Sequence, residues 1–159
     1  MNSAAALSEQ VYGLKAFVEA HFPGYCRTVE ARIGGGLVLP DVEEHVVGYK
    51  DLNNSHIYPF ACYVLGPGTA DPSANHAQRL SVAVEVGIAF QSSKPDLLEQ
   101  QLIAYADAFL DMIGDHEDLE GTCDLAWVEG FDPAHGALAD KSTAALVFTI
   151  RMEKEVPTG

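Results

Sequence analysis

Residues 79–91 (RLSVAVEVGIAFQ) alternate strictly between apolar and other side chains. A helix repeats every 3.6 residues and cannot place this set on one face, so the pattern predicts a half-buried strand. At about 3.3 Å per residue the strand spans roughly 40 Å, longer than most. A strand of this length outruns the core of a small domain, and its far end needs a hairpin partner or a neighbouring subunit. The apolar positions are Leu80, Val82, Val84, Val86, Ile88 and Phe90.

The remaining pattern predicts two main helices and several further strands. The first helix carries an apolar stripe from Leu7 to Phe22 and is expected to end at Pro23-Gly24. The second, over residues 96–114, buries a stripe that includes Phe109. Strands are predicted over residues 25–33, 57–65, 123–129 and 142–155, with weaker candidates at 37–40 and 45–50.

This order of elements predicts an α+β fold with a mostly antiparallel sheet of long strands, packed by two main helices. Segments 66–78 and 130–142 are rich in Gly, Pro, Asp and Ala and are predicted to be long loops. At 159 residues the chain is long enough for one domain with a substantial core, so we expect residues 1–159 to form a single domain. No apolar run approaches the roughly 20 residues that span a bilayer, so no membrane partner is expected.

The negative charge of the chain limits the classes of molecule that it is expected to bind. The formal net charge is −14, and no Lys or Arg lies between Lys94 and Lys141, where twelve Asp and Glu occur. Tight nucleic-acid binding is not expected, because it depends on clustered Lys and Arg that neutralise phosphates. The acidic excess serves either solubility or a surface that faces a cationic partner or repels nucleic acid.

The sequence contains no local catalytic or metal-binding motif. Gly34-Gly35-Gly36 is not followed by the residues of a phosphate-binding loop and indicates a turn. Asp115-His116-Glu117-Asp118 has ligand-type side chains, but adjacent residues point in different directions, which favours a solvated acidic turn over a metal site. We therefore expect no enzyme activity, no catalytic residues, no cofactor and no metal.

One helix face stands out as a candidate site. Asp107, Asp111 and Asp115 follow one another at four-residue steps on the second helix, away from its apolar stripe, with no basic residue in the helix to pair with them. Like charges at this spacing cost roughly 0.2–0.5 kcal/mol per pair. The face is either merely solvated or is directed at something outside the chain.

The order of elements also resembles a known family. A PFACYVLG strand (59–66), the VAVEVGIAF strand (82–90), the QLIAYADAFLDMI helix (101–113) and a long last strand (144–152) resemble tail-terminator and head–tail joining (neck) proteins of phages and prophages. The resemblance implies a structural α+β subunit that forms a homo-oligomeric ring and contacts tail-tube and connector proteins. It implies assembly in the host cytoplasm and a final place in the virion tail, and it assigns no catalytic residue.

Within such a ring, Asp107, Asp111 and Asp115 would face the lumen or a partner. Two alternatives stay open from the sequence. One is a small enzyme or ligand-binding domain whose site assembles in three dimensions around the acidic region. The other is a bacterial interaction domain unrelated to phages.

Overall fold

The computed structural model of the protein describes residues 6–48, 57–74, 76–92, 94–135 and 143–157. Over these residues the chain forms an α+β fold, which confirms the predicted class. That residues 1–159 form one domain stays a prediction. The elements, in chain order, are α1 (Ala6–Ile33), β1 (Glu44–Val47), β2 (Phe60–Ser73), β3 (Ala77–Gln91), α2 (Pro95–Asp115), β4 (Leu125–His135) and β5 (Thr143–Pro157).

The strands form a single sheet in the order β1-β2-β3-β5-β4. β3, the strand predicted from the alternating pattern, lies at its centre and pairs antiparallel with β5 from Ala77 to Gln91 and with β2 from Ala77 to Ala89. β4 pairs antiparallel with β5, whereas the short β1 pairs in parallel with the start of β2. The sheet is therefore mostly antiparallel, with long strands, as predicted.

Both helices contribute to one core against one face of the sheet. The even-numbered residues of β3 from Val82 to Phe90 are buried in it, together with Phe148 of β5 and the apolar stripe of α2. Phe109 of α2 stacks on Phe148, with ring centroids 4.1 Å apart, and is fully buried. This contact packs α2 against the sheet. It also confirms the prediction that the face of α2 with Phe109 is the buried one.

The first helix is longer than predicted. α1 continues through Pro23 to Ile33, so the predicted end at Pro23-Gly24 and the predicted strand over residues 25–33 are wrong. A proline inside a helix costs about 3 kcal/mol. Here the apolar stripe resumes beyond it, because Cys26 and Val29 are buried one and two turns after Phe22. Burial of large apolar side chains contributes roughly 1.5–3 kcal/mol each, which offsets the cost of the proline.

The glycine run ends this helix. Gly34 donates its backbone N–H to the carbonyl of Glu30 at 2.9 Å, and Gly34 and Gly35 have φ values of 71° and 70°. This left-handed backbone is the usual way for a helix to end, and glycine adopts it without steric cost. The run is therefore a turn, as the sequence indicated.

The predicted loop over residues 66–78 is wrong, because most of it is strand. β2 runs to Ser73 with a bulge between Leu65 and Gly68, and β3 begins at Ala77. A Cβ atom at Gly68 would lie 2.8 Å from the carbonyl oxygen of Ser81. Glycine has a low propensity for strands, but at this position β2 passes so close to the backbone of β3 that a side chain would not fit.

The predicted loop over residues 130–142 is wrong in its first half. β4 has a bulge between Val128 and Gly130 and then continues to His135, in register with Ala144 of β5. Asp132 and Pro133, which are typical of loops, lie in this edge strand, where a proline is tolerated. The rest of that predicted loop, residues 136–142, lies outside the described residues.

The stacked pair of phenylalanines gives a direct test of the packing. Phe109→Ala should lower the free energy of unfolding by about 3–5 kcal/mol, because it empties a fully enclosed site beneath Phe148. The control is Asp107→Ala on the same helix, which is exposed and should change stability by no more than about 0.5 kcal/mol. Urea denaturation of both variants is the measurement, and equal effects would contradict this packing.

Candidate functional site

The three candidate aspartates do not share one environment. Asp107 is exposed on the outer face of α2. Asp111 contacts α1, where the guanidinium Nη2 of Arg32 lies 3.1 Å from its Oδ2 atom. Asp115 also contacts α1, because the hydroxyl of Tyr25 donates a hydrogen bond of 2.8 Å to its Oδ2 atom. The row of carboxylates thus begins in solvent and ends at the neighbouring helix.

These contacts have a clear electrostatic reason. Asp111 and Asp115 lie in the last turns of α2, where the helix dipole is negative, and the last turn holds no basic residue. Arg32 and Tyr25 supply the missing positive charge and donor from α1. Both partners were missed from the sequence, because α1 was expected to end at Pro23. Arg32 and Asp111 are each about half exposed, so their pair is worth at most about 1 kcal/mol.

The acidic environment also affects Tyr25. Desolvation, the hydrogen bond to Asp115 and the negative charges of Asp115 and Asp111 together raise the pKa of Tyr25 to about 12. The phenol therefore stays protonated and keeps donating to Asp115 at any physiological pH. The α1–α2 contact is a fixed part of the acidic face.

The acidic turn that follows α2 is ordered by its own backbone. The Oδ1 atom of Asp118 accepts the N–H of Glu120 at 3.1 Å, and the Asp118 carbonyl accepts the N–H groups of Gly121 and Cys123. His21 of α1 lies 2.7 Å from Glu120. Among the residues that the structure describes, no group of three His, Cys, Asp or Glu is placed to hold a metal ion. Asp115 is the last residue of α2, and the turn itself begins after His116 and covers residues 117–122.

All four arginines of the chain are engaged in ion pairs with carboxylates. Arg32 pairs with Asp111, and the other pairs are Arg27 with Glu30 and Asp41, Arg79 with Glu153, and Arg151 with Glu129. A nucleic-acid surface needs guanidinium and ammonium groups that are directed at phosphates. The arginines here are directed at carboxylates of the same chain instead.

The second candidate surface consists of the two outer edges of the sheet. β1 pairs with β2 only from Phe60 to Tyr63, so within the described residues the β2 edge beyond Tyr63 has no strand beside it. Residues 67–72 on that edge are exposed. β4 is the outer strand on the opposite side. Such edges present unpaired N–H and C=O groups that can bind another strand.

Each edge is accompanied by a hollow and by exposed apolar side chains. Beside β2 a hollow of about 220 Å³ lies between Leu7 of α1 and Leu65, Leu80 and Val82 of the strands. Leu65 is 51% exposed. Beside β4 a hollow of about 230 Å³ is lined by Leu110 and Ile113 of α2 and by Leu125, Trp127 and Val128 of β4.

The apolar side chains at the β4 edge are also accessible, since Trp127 is 38% and Phe131 47% exposed. Single exposed apolar residues are ordinary, but here they accompany a hollow and a strand edge on both sides of the sheet. The sequence did not indicate these surfaces, because half of each edge was predicted to be loop.

No helix in the described part of the chain is both long and apolar enough to cross a membrane. No protein-family model matches the sequence, and no curated protein matches it. Among solved structures, the chain is similar to a chain of the virion of a native gene transfer agent particle. The two share 10% identity over 87% of this chain and 94% of that chain, with a TM-score of 0.40. A likeness at this level does not establish a shared fold.

The short strand β1 is held at the β2 edge by a pH-sensitive contact. The Nδ1 atom of His45 lies 2.8 Å from the hydroxyl of Tyr63, and the two rings stack. Desolvation lowers the pKa of His45 below its ordinary value of 6.5; the charge of Glu19 opposes this shift and that of Lys15 adds to it. The folded protein therefore favours the neutral imidazole.

We expect the free energy of unfolding to fall as the pH drops below 6.5 through the lowered pKa of folded His45, because the unfolded chain takes up the proton first. His45→Asn, which keeps a hydrogen-bonding group near the Nδ1 position, should make this part of the pH profile flatter. The control is His76→Asn at an exposed position with φ of 58°, which asparagine tolerates. Denaturation between pH 5 and pH 8 is the measurement. A profile unchanged by His45→Asn would contradict the assignment.

Proposed function

We propose that this protein is a structural subunit of a phage-like particle, a tail-terminator or head–tail joining protein that assembles into a ring where the tail meets the connector. The observation that carries the proposal is the pair of open sheet edges, each with an apolar hollow and exposed large side chains. A sheet with two such edges is prone to uncontrolled association unless each edge is covered. Ring closure covers every edge with a neighbouring copy.

The same proposal gives the acidic face a role. A ring that lets DNA pass needs a lumen to which the polyanion does not bind, and a negative surface provides this. Asp107 has no contact with α1 among those described, whereas Asp111 and Asp115, although also accessible, hold α1 against α2. We assign Asp107 to the lumen or partner-facing surface and the other two both to that surface and to the helix contact.

The proposal also assigns no enzymatic activity, cofactor or metal to the chain. Its partners are further copies of itself, the tail tube and the connector. Assembly would take place in the host cytoplasm, and the final location would be the virion tail. The order of elements in the sequence and the pairing of every arginine within the chain both support a structural role over a nucleic-acid-binding one.

Self-association is the first test. Light scattering at increasing protein concentration should give a mass that rises from the subunit to a single higher value that does not increase further, because a closed ring has no free edge left. A mass that keeps growing would indicate open filaments, and a monomer at every concentration tested would contradict the ring.

Exclusion of DNA is the second test. The unmodified protein should not bind duplex DNA at low salt, whereas Asp107→Lys/Asp111→Lys/Asp115→Lys should bind it. This variant should also lose about 1 kcal/mol of stability, since it removes the partners of Arg32 and Tyr25. Electrophoretic mobility shift at several salt concentrations is the measurement.

The matched control for the DNA test replaces three exposed carboxylates that lie outside the α2 face and the proposed strand contacts, Glu9, Glu19 and Glu43, with lysine and so changes the net charge equally. Equal DNA binding by this control would mean that net charge, and not the α2 face, keeps DNA away. Tight binding by the unmodified protein would remove the lumen assignment.

A further inference from the structure

The two open edges belong to strands of opposite direction. β2 is antiparallel to β3, β3 to β5, and β5 to β4, so β2 and β4 run in opposite directions. When a second copy is generated by rotation about an axis roughly parallel to the strands, its β2 lies beside the β4 of the first copy in antiparallel orientation. This is the more favourable of the two pairing modes.

We propose that the β4 edge of one copy pairs with the β2 edge of the next, beyond Tyr63, so that one antiparallel sheet continues from subunit to subunit. The inference rests on the proposed ring and specifies its contact. The occupant of each edge is the opposite edge of a second copy of this chain. The interface is head-to-tail, which is the kind that closes into rings.

Prolines limit where the new pairing can form. A proline within a strand is tolerated where its nitrogen faces away from the existing partner strand. Pro72 is paired with Gln78 of β3, and Pro133 with Leu146 of β5, so the nitrogens of both prolines face the open edges. Neither can donate to a neighbouring copy. The backbone N–H of Ala126 already donates to the carbonyl of Glu117 at 2.6 Å, so the start of the β4 edge is covered. The usable segments are therefore residues 68–71 of β2 and 127–132 of β4.

The hollows supply the apolar part of the interface. Both are bounded by a helix, α1 beside the β2 edge and α2 beside the β4 edge, so they lie on the same side of the sheet. Edge-to-edge pairing brings the two hollows together and places Leu65 of one copy on the same side of the joined sheet as Phe131 of the other, because both pair with residues that face the core. These side chains are 51% and 47% exposed in the single chain, and the contact would remove much of that surface from water.

Trp127 provides a direct test, because it is the only tryptophan in the chain. Its emission should move to shorter wavelength as the protein concentration rises and a neighbouring copy covers the β4 edge. Leu65→Asp should abolish this shift. Within one copy, β2 and β4 are three strand spacings apart, which is roughly 14 Å. An effect of Leu65→Asp on the emission of Trp127 must therefore come from the loss of contact with a neighbouring copy. The matched control is Ile103→Asp, an equally exposed position on α2, which should keep the shift.

Cysteine cross-linking tests the strand pairing itself. In a Cys62→Ala background, Thr69→Cys or Ala70→Cys places a thiol on the β2 edge, and Phe131→Cys or Asp132→Cys places one on the β4 edge. The native Cys26 and Cys123 are buried, and desolvation raises their pKa values to about 12 and about 11, so they react slowly at pH 8. Tyr12→Cys, exposed on α1, is the control.

At least one mixture of a β2 variant with a β4 variant should cross-link, while each variant alone and the Tyr12→Cys control should not. On a denaturing gel, a chain that carries both thiols should give a series of cross-linked oligomers, of which the largest has the mass of the closed ring.

Cross-linking of a β4 variant with itself would show a two-fold dimer and overturn both the edge pairing and the ring. A ring without any mixed cross-link and with an unaffected Trp127 shift in Leu65→Asp would overturn the edge pairing alone. A monomer without cross-links would overturn both.

Discussion

The structure depends on the pairing of β3 with β5 along its whole length and with β2 along most of it. Because every residue from Ala77 to Gln91 has a partner in β5, and most have one in β2, the length of β3 determines how far its neighbours must extend. A strand of 15 residues spans about 50 Å. The helices of 28 and 21 residues span about 42 and 32 Å. The central strand is therefore longer than either helix that covers the sheet.

The distribution of charge complements this geometry. The chain is strongly acidic, yet its arginines pair internally and tie separate elements together, Arg32 joining α1 to α2 and Arg151 joining β5 to β4. What faces solvent is an excess of carboxylates, with Asp107 as the exposed start of a row on α2. The acidic surface and the open edges are separate features, so a subunit can associate through its sheet while its helix face still repels a polyanion.

Much of the fold could be predicted in segments where apolar residues recur with a single period, that of a strand or that of a helix. The alternation in β3 and the stripe around Phe109 both identified the correct element and the correct buried face. Prediction failed where packing outweighed local preference. Pro23 does not end α1, because Cys26 and Val29 are buried beyond it, and Gly68 lies in a strand because only glycine fits against the Ser81 carbonyl. The partners of Asp111 and Asp115 could not be found from spacing, since they lie more than 75 residues away on α1.

In the proposed ring, further copies of the chain cover the open edges of the sheet. Electron microscopy of the purified protein at high concentration can show this, since averaged images give both the number of copies and any central opening. We expect one class of closed rings with a constant number of subunits and a central channel. If single subunits, two-fold dimers or open filaments were the main species, the ring proposal would be wrong.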